Sequence, residues 1–298
     1  MKKSPNLSTT RGSQALGAAA IVLGMSWAGT ASATECETME PDDIMSQSFT
    51  DHWEAYDNLA CLEESLIARG DRRAIFTSGY TLTTLRMAEA IDAGFFQDTV
   101  WMTSYQIQFA NYYREAFYNY EIGNTGAVPN VWMTAFDAAA TGETLMVQDI
   151  LLGMTAHITR DLPYALEDVD INPRWAKHQD HTLVNDVLGD VADEMMFAMS
   201  EIYGANFVQI DAALGPLDEL ILAVGFAAAR EGAWLNAKSL DNSRWWNRWL
   251  TVSWIENTAS ATADLTLLAI GPALHDAVAH LEGTNPGSTF CQHFSCSN

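Results

Sequence analysis

The chain has 298 residues, 48% of them apolar, and a formal charge of −23. That is enough apolar material for a large core in one domain, or in two closely packed ones. So negative a field excludes nucleic acid phosphates and anionic bilayer surfaces as partners.

The first elements concern export. Lys2, Lys3 and Arg11 form a basic stretch, "ALGAAAIVLGMSWAG" is an apolar run too short for a comfortable membrane span, and Ala31 to Ala33 read "ASA", a signal-peptidase site. Residues 1–33 are expected to be a cleaved signal peptide and 34–298 one all-α domain, periplasmic or extracellular. Cleavage takes the formal charge from −23 to −26 and leaves only Lys177 and Lys238 as lysines. No later stretch is long and apolar enough to span a bilayer, so no stable membrane insertion is expected of the mature form. Cys36, Cys61, Cys291 and Cys296 lie near the two ends. An even count in an oxidising compartment points to two disulfides that tie down the terminal segments, with three connectivities open. A sharper reading makes Cys291, His293 and Cys296 a zinc knuckle, against the usual oxidation of exported cysteines.

From residue 51 onward the hydrophobic period is helical. Phe76, Tyr80, Met87 and Ile91 recur at one helical face, and Trp101, Tyr105, Phe109, Tyr112, Ala116 and Tyr120 at another. Breakers stand at "GNTGAVPN", Gly142, "INP", Gly204, Gly215-Pro216, "DNS" and Gly271-Pro272. The spacing predicts helices near 51–69, 72–93, 98–121, 130–141, 144–169 with a break, 174–203, 216–238, 243–270 and 272–282. No alternating run flanked by hairpin turns predicts a strand. The expected fold is an all-α bundle of about eight or nine helices.

The chemistry concentrates in the fifth and sixth of these segments. His157 and Asp161 continue an apolar stripe through Ile150 and Met154, so a helix here turns an imidazole and a carboxylate inward. His181 and Asn185, also four apart, continue a stripe through Leu188, Ala192, Met195 and Met199. An imidazole and an oxygen ligand at that spacing can share a metal ion, and two such pairs on adjacent helices can meet in the core.

The steps from His157 to Asp161, Glu167, His181 and Asn185 resemble the ligand run of zinc-dependent phospholipases C and P1-type nucleases, exported all-α enzymes with a three-metal site. The resemblance covers about thirty residues, with His157, Asp161 and His181 matching by type. Glu167 stands where that family has a histidine and Asn185 where it has a carboxylate. Upstream, His52 is the one mature histidine before His157, with Asp92 or Asp98 as loose carboxylate candidates. The resemblance implies at most one zinc-like divalent ion on His157, Asp161 and His181, with Glu167 and Asn185 assisting catalysis.

A second resemblance is broader. "IFTSGYTLTT", "FANYYREAFYNY", "VPNVWMTAF", "LLGMTAHITRDLPYAL", "DHTLVNDVL" and "AREGAWLNAKSL", from about Arg73 to Leu240, together resemble a bacterial family known only as domain of unknown function 5995. Its hallmark is matched by Gly153, Ala156, His157, Ile158, Asp161 and Leu162. It implies a helical protein without an established activity, and a downstream segment better defined at Asp180 and Asn185 than at His181.

Two functions fit these residues. In one, the metal lowers the pKa of a bound water that attacks a phosphoester or other ester, with Glu167 as base. In the other, a non-catalytic exported module encloses a small-molecule or lipid-like apolar ligand among Met-rich and aromatic helices, and the polar pairs hold helix register. A purely structural account of the motif has Pro163 ending one helix near Thr159 and Asp161 capping the next. His178 and Asp180 then belong to a solvated helix start. Trp245, Trp246, Trp249 and Trp254, with Arg244 and Arg248, read either as packing for the bundle, one arginine over a ring, or as an interfacial belt. His275 and His280 read as solvated. No nucleophile elbow or phosphate-cradling glycine loop is present.

Overall fold

The computed structural model describes residues 33–205, 225–268, 272–284, 287–294 and 296. The expected signal peptide and residues 216–224 of the seventh expected helix lie outside the described residues. Two short helices, α1 (Ala33–Cys36) and α2 (Pro41–Ile44), lead into α3 (His52–Ala68), α4 (Ala74–Asp92) and α5 (Thr99–Glu121). Then come α6 (Asn130–Thr141), α7 (Met146–Met154), α8 (Leu162–Asp168) and the long α9 (Arg174–Tyr203). The remainder is α10 (Gly225–Asp241), α11 (Arg248–Leu268), α12 (Pro272–Glu282) and α13 (Thr289–His293). Among the described residues there is no strand, and the architecture is all-α as the period predicts.

Caps and breakers set the boundaries. Asp51 accepts hydrogen bonds from the Trp53 and Glu54 amides at the start of α3, and Asp98 accepts from the Trp101 amide at the start of α5. Gly142 ends α6 in the left-handed region, at φ 66°. The expected break between 144 and 169 takes an unexpected form. Instead of stopping, the helix widens into a π-helical segment over Thr155–Asp161 and re-enters α-geometry as α8. Pro163 falls in the first turn of α8, where a missing N–H costs least. Asp161 therefore has helical dihedrals and its side chain caps nothing.

α4 organises the bundle. Its first half puts Ile75 and Tyr80 into an apolar cluster with Leu59 and Leu66 of α3, Tyr113 and Phe117 of α5, and Trp132 and Phe136 of α6. Its second half puts Met87 and Ile91 into another cluster with Trp101 and Tyr105 of α5, Leu162 and Leu166 of α8, Val184, Val187 and Val191 of α9, and Trp234 of α10. The π-helical segment packs between the two clusters, against α11, α8, α10 and α7.

The cysteines pair as Cys36–Cys61 and Cys291–Cys296. The first staples α1 to α3; the second closes a local loop around α13, so the cysteines of the knuckle reading are consumed. His293 donates to the Ile67 carbonyl at 2.6 Å instead. That contact needs Gly70, whose φ is 66° and where a Cβ would stand 2.0 Å from the His293 carbonyl oxygen. The tryptophan run also departs from expectation. Trp245, Trp249 and Trp254 are exposed at 88%, 62% and 64%, so they do not pack the bundle, although Arg244 does sit 5.1 Å from the Trp246 ring.

Candidate functional site

His157 and Asp161 face inward, and both are buried. The imidazole Nδ1 lies 3.1 Å from Asp161 Oδ2, which also accepts the Trp132 indole N–H at 2.8 Å. Asp161 Oδ1 accepts from Arg160 at 2.9 Å, and Arg160 reaches on to Glu256 of α11 at 3.1 Å. A carboxylate so placed can only accept, so the histidine proton resides on Nδ1 and Nε2 carries a bare lone pair. That Nε2 has no hydrogen-bond partner. Aromatic rings enclose it: His157 stacks on Phe109 with centroids 3.6 Å apart and meets Tyr80 edge-on at 4.5 Å. Phe76, Tyr113 and Trp132 complete the cage. Burial pushes the imidazole below its ordinary pKa while Asp161 opposes the drop, so the neutral ring is the stable form.

The local sequence explains the cage. His157 and Asp161 are four apart within the π-helical segment and share its buried face. Gly153 leaves room for Phe76, whose ring would lie 2.3 Å from a Cβ at that position. Ala156 and Leu162 are fully buried beside the pair. The hallmark Gly-x-x-Ala-His-Ile-x-x-Asp-Leu thus reads as a packing solution for one buried polar pair.

The second pair sits elsewhere. His181 Nε2 lies 3.1 Å from the Arg230 carbonyl and Nδ1 lies 3.1 Å from the Tyr105 hydroxyl, with the Arg230 guanidinium at 3.3 Å. Since a carbonyl only accepts, Nε2 bears the proton and Nδ1 is the acceptor of Tyr105 and Arg230. Arg230 Nε donates to Asn185 Oδ1 at 2.9 Å, and its Nη2 to the His181 carbonyl at 2.7 Å. Burial, then the guanidinium charge, push His181 well below its ordinary pKa. Glu167 is salt-bridged through both oxygens to Arg248. Asp180 is buried, contrary to the solvated reading, and accepts the Gln97 and Asp98 amides at 2.8 Å each, anchoring α9 to the start of α5. His52 and Asp92 bind each other at 3.1 Å.

These donors do not fit one shared ion. His181 has spent its lone pair and faces a cation, Asn185 and Glu167 are held by arginines, and Asp161 already serves three donors. That leaves one free lone pair, on His157, where a catalytic zinc takes three protein ligands. Among the described residues no group of three or more His, Cys, Asp or Glu could hold a metal. His157 with Asp161 has the form of a base and its orienting acid. Neither residue, however, lines either of the two cavities: the smaller, about 10 Å³, lies among Arg72, Phe76, Trp132 and Asp149 on the other side of the aromatic cage.

A larger cavity, about 190 Å³, lies between α3, α4 and α9. Leu82, Leu85, Met195, Ala198, Met199 and Ile202 make its apolar wall, and Tyr56, Glu63, Ser78 and Thr81 its polar side. Ser78 is hydrogen-bonded to the Tyr203 hydroxyl at 2.7 Å, and the buried Thr81 hydroxyl serves the Glu63 carboxyl. Burial pushes the Glu63 carboxyl above its ordinary pKa, while the hydroxyls of Ser78 and Thr81 oppose the rise. The sequence reading missed this cleft, although the methionines at 195 and 199 were legible as a stripe. No described helix is long and apolar enough to cross a membrane.

No curated protein and no solved structure matches the chain. A family model does, over residues 54–269, which spans both polar pairs and most of the bundle. The chain belongs to the family described as a family of unknown function, DUF5995.

Proposed function

We propose that this protein is an exported, non-catalytic binding module that takes a small, mostly apolar ligand between α3, α4 and α9. One observation carries the reading: a cavity of about 190 Å³ walled by leucine, methionine and isoleucine, with a few polar groups on one side. Binding sites have this composition, apolar walls with sparse polar groups that fix orientation. Met195 and Met199 add adaptable, polarisable walls. The His157–Asp161 pair then serves as a buried register pin between α6 and the π-helical segment. Export is supported by the basic and apolar leader with its "ASA" site and by two disulfides. Hydrolysis at a metal is the weaker reading, because the donors it needs are occupied by arginines, a tyrosine and a tryptophan.

The test is a titration of protein carrying 13C-labelled methionine methyls with 1-pentanol and with toluene. Saturable shifts at Met195 and Met199, lost when Ala198→Phe fills the cavity, are expected. Absence of saturable shifts with both probes overturns the reading.

A further inference from the structure

α11 carries apolar side chains on two opposite faces, and the described bundle covers one of them. Ile255, Ala259 and Ala263, all fully buried, lie on the face that packs against the π-helical segment and α6. On the other side Leu250, Trp254, Asn257, Ala261, Leu265 and Leu268 recur at steps of four, three, four, four and three, and every one of them is exposed. The four large apolar residues of this stripe keep 54%, 64%, 66% and 78% of their surface in water. Trp245 and Trp246 stand exposed in the turn that leads into the helix. An apolar stripe of this extent left in water marks an interface. At about 200 Å² per large apolar side chain, the exposed parts of those four and of the two tryptophans amount to roughly 800 Å² per copy, which is what each partner of a standard-size interface buries.

The chemistry of the stripe selects its occupant. Past Arg248, α11 contains no lysine or arginine, and its acids are Asp264 and Glu256, the latter held by Arg160 at 3.1 Å. A helix that lies in a lipid interface carries basic residues on its polar face, and a bilayer would bury the Asn257 carboxamide without a partner. The pattern is instead complementary to itself. Turned end for end about its midpoint, the stripe sets Leu250 against Leu268, Trp254 against Leu265 and Asn257 against Ala261, with large residues on large ones at the flanks and the polar residue over the smallest. A two-fold axis demands this, since residue i then meets j and j meets i.

We propose that α11 is a homodimer interface, in which two copies pack these stripes antiparallel about a two-fold axis at the level of Ala259. Asn257, the polar side chain within the seam, fixes the register. The inference is independent of the cleft, which α3, α4 and α9 line. Two copies of so acidic a chain repel through solvent over a screening length of about 8 Å at physiological salt, so the association tightens as salt rises.

The experiment is sedimentation velocity on the purified mature protein from low micromolar concentration upward. A concentration-dependent change from the monomer mass to twice that mass is expected, favoured several-fold by added NaCl. Leu265→Glu combined with Leu268→Glu puts charges into the seam at exposed positions, and is expected to weaken dimerisation by about a hundredfold with the circular dichroism and thermal midpoint unchanged. Under mild oxidation, Leu250→Cys and Leu268→Cys proteins are expected to cross-link when mixed and neither to do so alone. A protein that stays monomeric throughout overturns the proposal, whether the stripe then serves residues 206–224 of its own chain or a lipid surface, and flotation with phosphatidylcholine vesicles separates those two. A dimer undiminished by the double glutamate substitution overturns it as well. Cross-linking of Leu250→Cys with itself refutes the antiparallel arrangement.

Discussion

His157→Phe is expected to be nearly neutral for stability, and Asp161→Asn is expected not to be. Phenylalanine keeps the stack on Phe109 and the edge contact with Tyr80. It loses the Nδ1–H bond to Asp161, a bond to a charged group valued at about 1.5–3 kcal/mol, and it removes the unpartnered buried Nε2, whose burial costs about 1–3 kcal/mol. The two nearly cancel, so the net change should lie within about 1 kcal/mol of zero. Asp161→Asn has no such offset. The carboxylate accepts from Trp132, His157 and Arg160, and an amide turns one of its two positions into a donor facing donors. Breaking a buried ion pair in this way costs about 3–5 kcal/mol. Urea denaturation followed by tryptophan fluorescence measures both. Protonation supplies a second readout. Because the folded-state pKa of His157 lies below the ordinary 6.5, the unfolded chain binds the extra proton, and the stability it contributes is full above pH 6.5 and is lost as pH falls below it. His157→Phe should therefore flatten part of the acid limb, to which His181 and the lowered carboxyls of Asp92, Asp98 and Asp170 also contribute. If His157→Phe costs as much as Asp161→Asn, removing the unpartnered Nε2 does not offset the lost bond to Asp161, and the reasoning fails.

Glu282 gives a pH dependence of the opposite sign. Its buried carboxyl accepts the Met146 and Val147 amides at 2.7 and 2.9 Å at the start of α7, and burial raises its pKa from 4.5 to about 7, with Asp149 adding to the rise and Arg72 opposing it. The folded state then holds the proton more tightly, so this contribution is full below pH 4.5 and declines by about 3 kcal/mol as pH rises to 7. Glu282→Gln should lose that slope while costing about 1 kcal/mol at low pH for one weakened backbone contact; a parallel pH profile would show that the carboxyl is not so perturbed. Elemental analysis after zinc loading and dialysis should find less than one equivalent of zinc, as the occupied donors require. One equivalent that disappears in a folded His157→Ala protein would restore the metal site.

Among the described residues the longer helices, though not the short α1, α2 and α13, were legible in the sequence to within about five residues, because a period of 3.6 and the placement of Gly, Pro and Asp are local properties of the chain. So was the inward turn of His157, Asp161 and His181, since a residue's face on its own helix depends on spacing alone. Its partners are not given by spacing. Asp161 meets Trp132, His181 meets Tyr105 and Arg230, and Asp180 meets the amides of Gln97 and Asp98, all across helix contacts whose crossing and depth no single-helix pattern records. The π turn at Thr155–Asp161 rotates α8 relative to α7, so a register counted through it at 3.6 residues per turn drifts. The cleft shows the same division most sharply. The methionines of α9 announced an apolar stripe, but that Glu63 of α3 and Thr81 of α4 stand opposite them, the carboxyl raised by burial and served by the hydroxyl, is a consequence of three helices packing together.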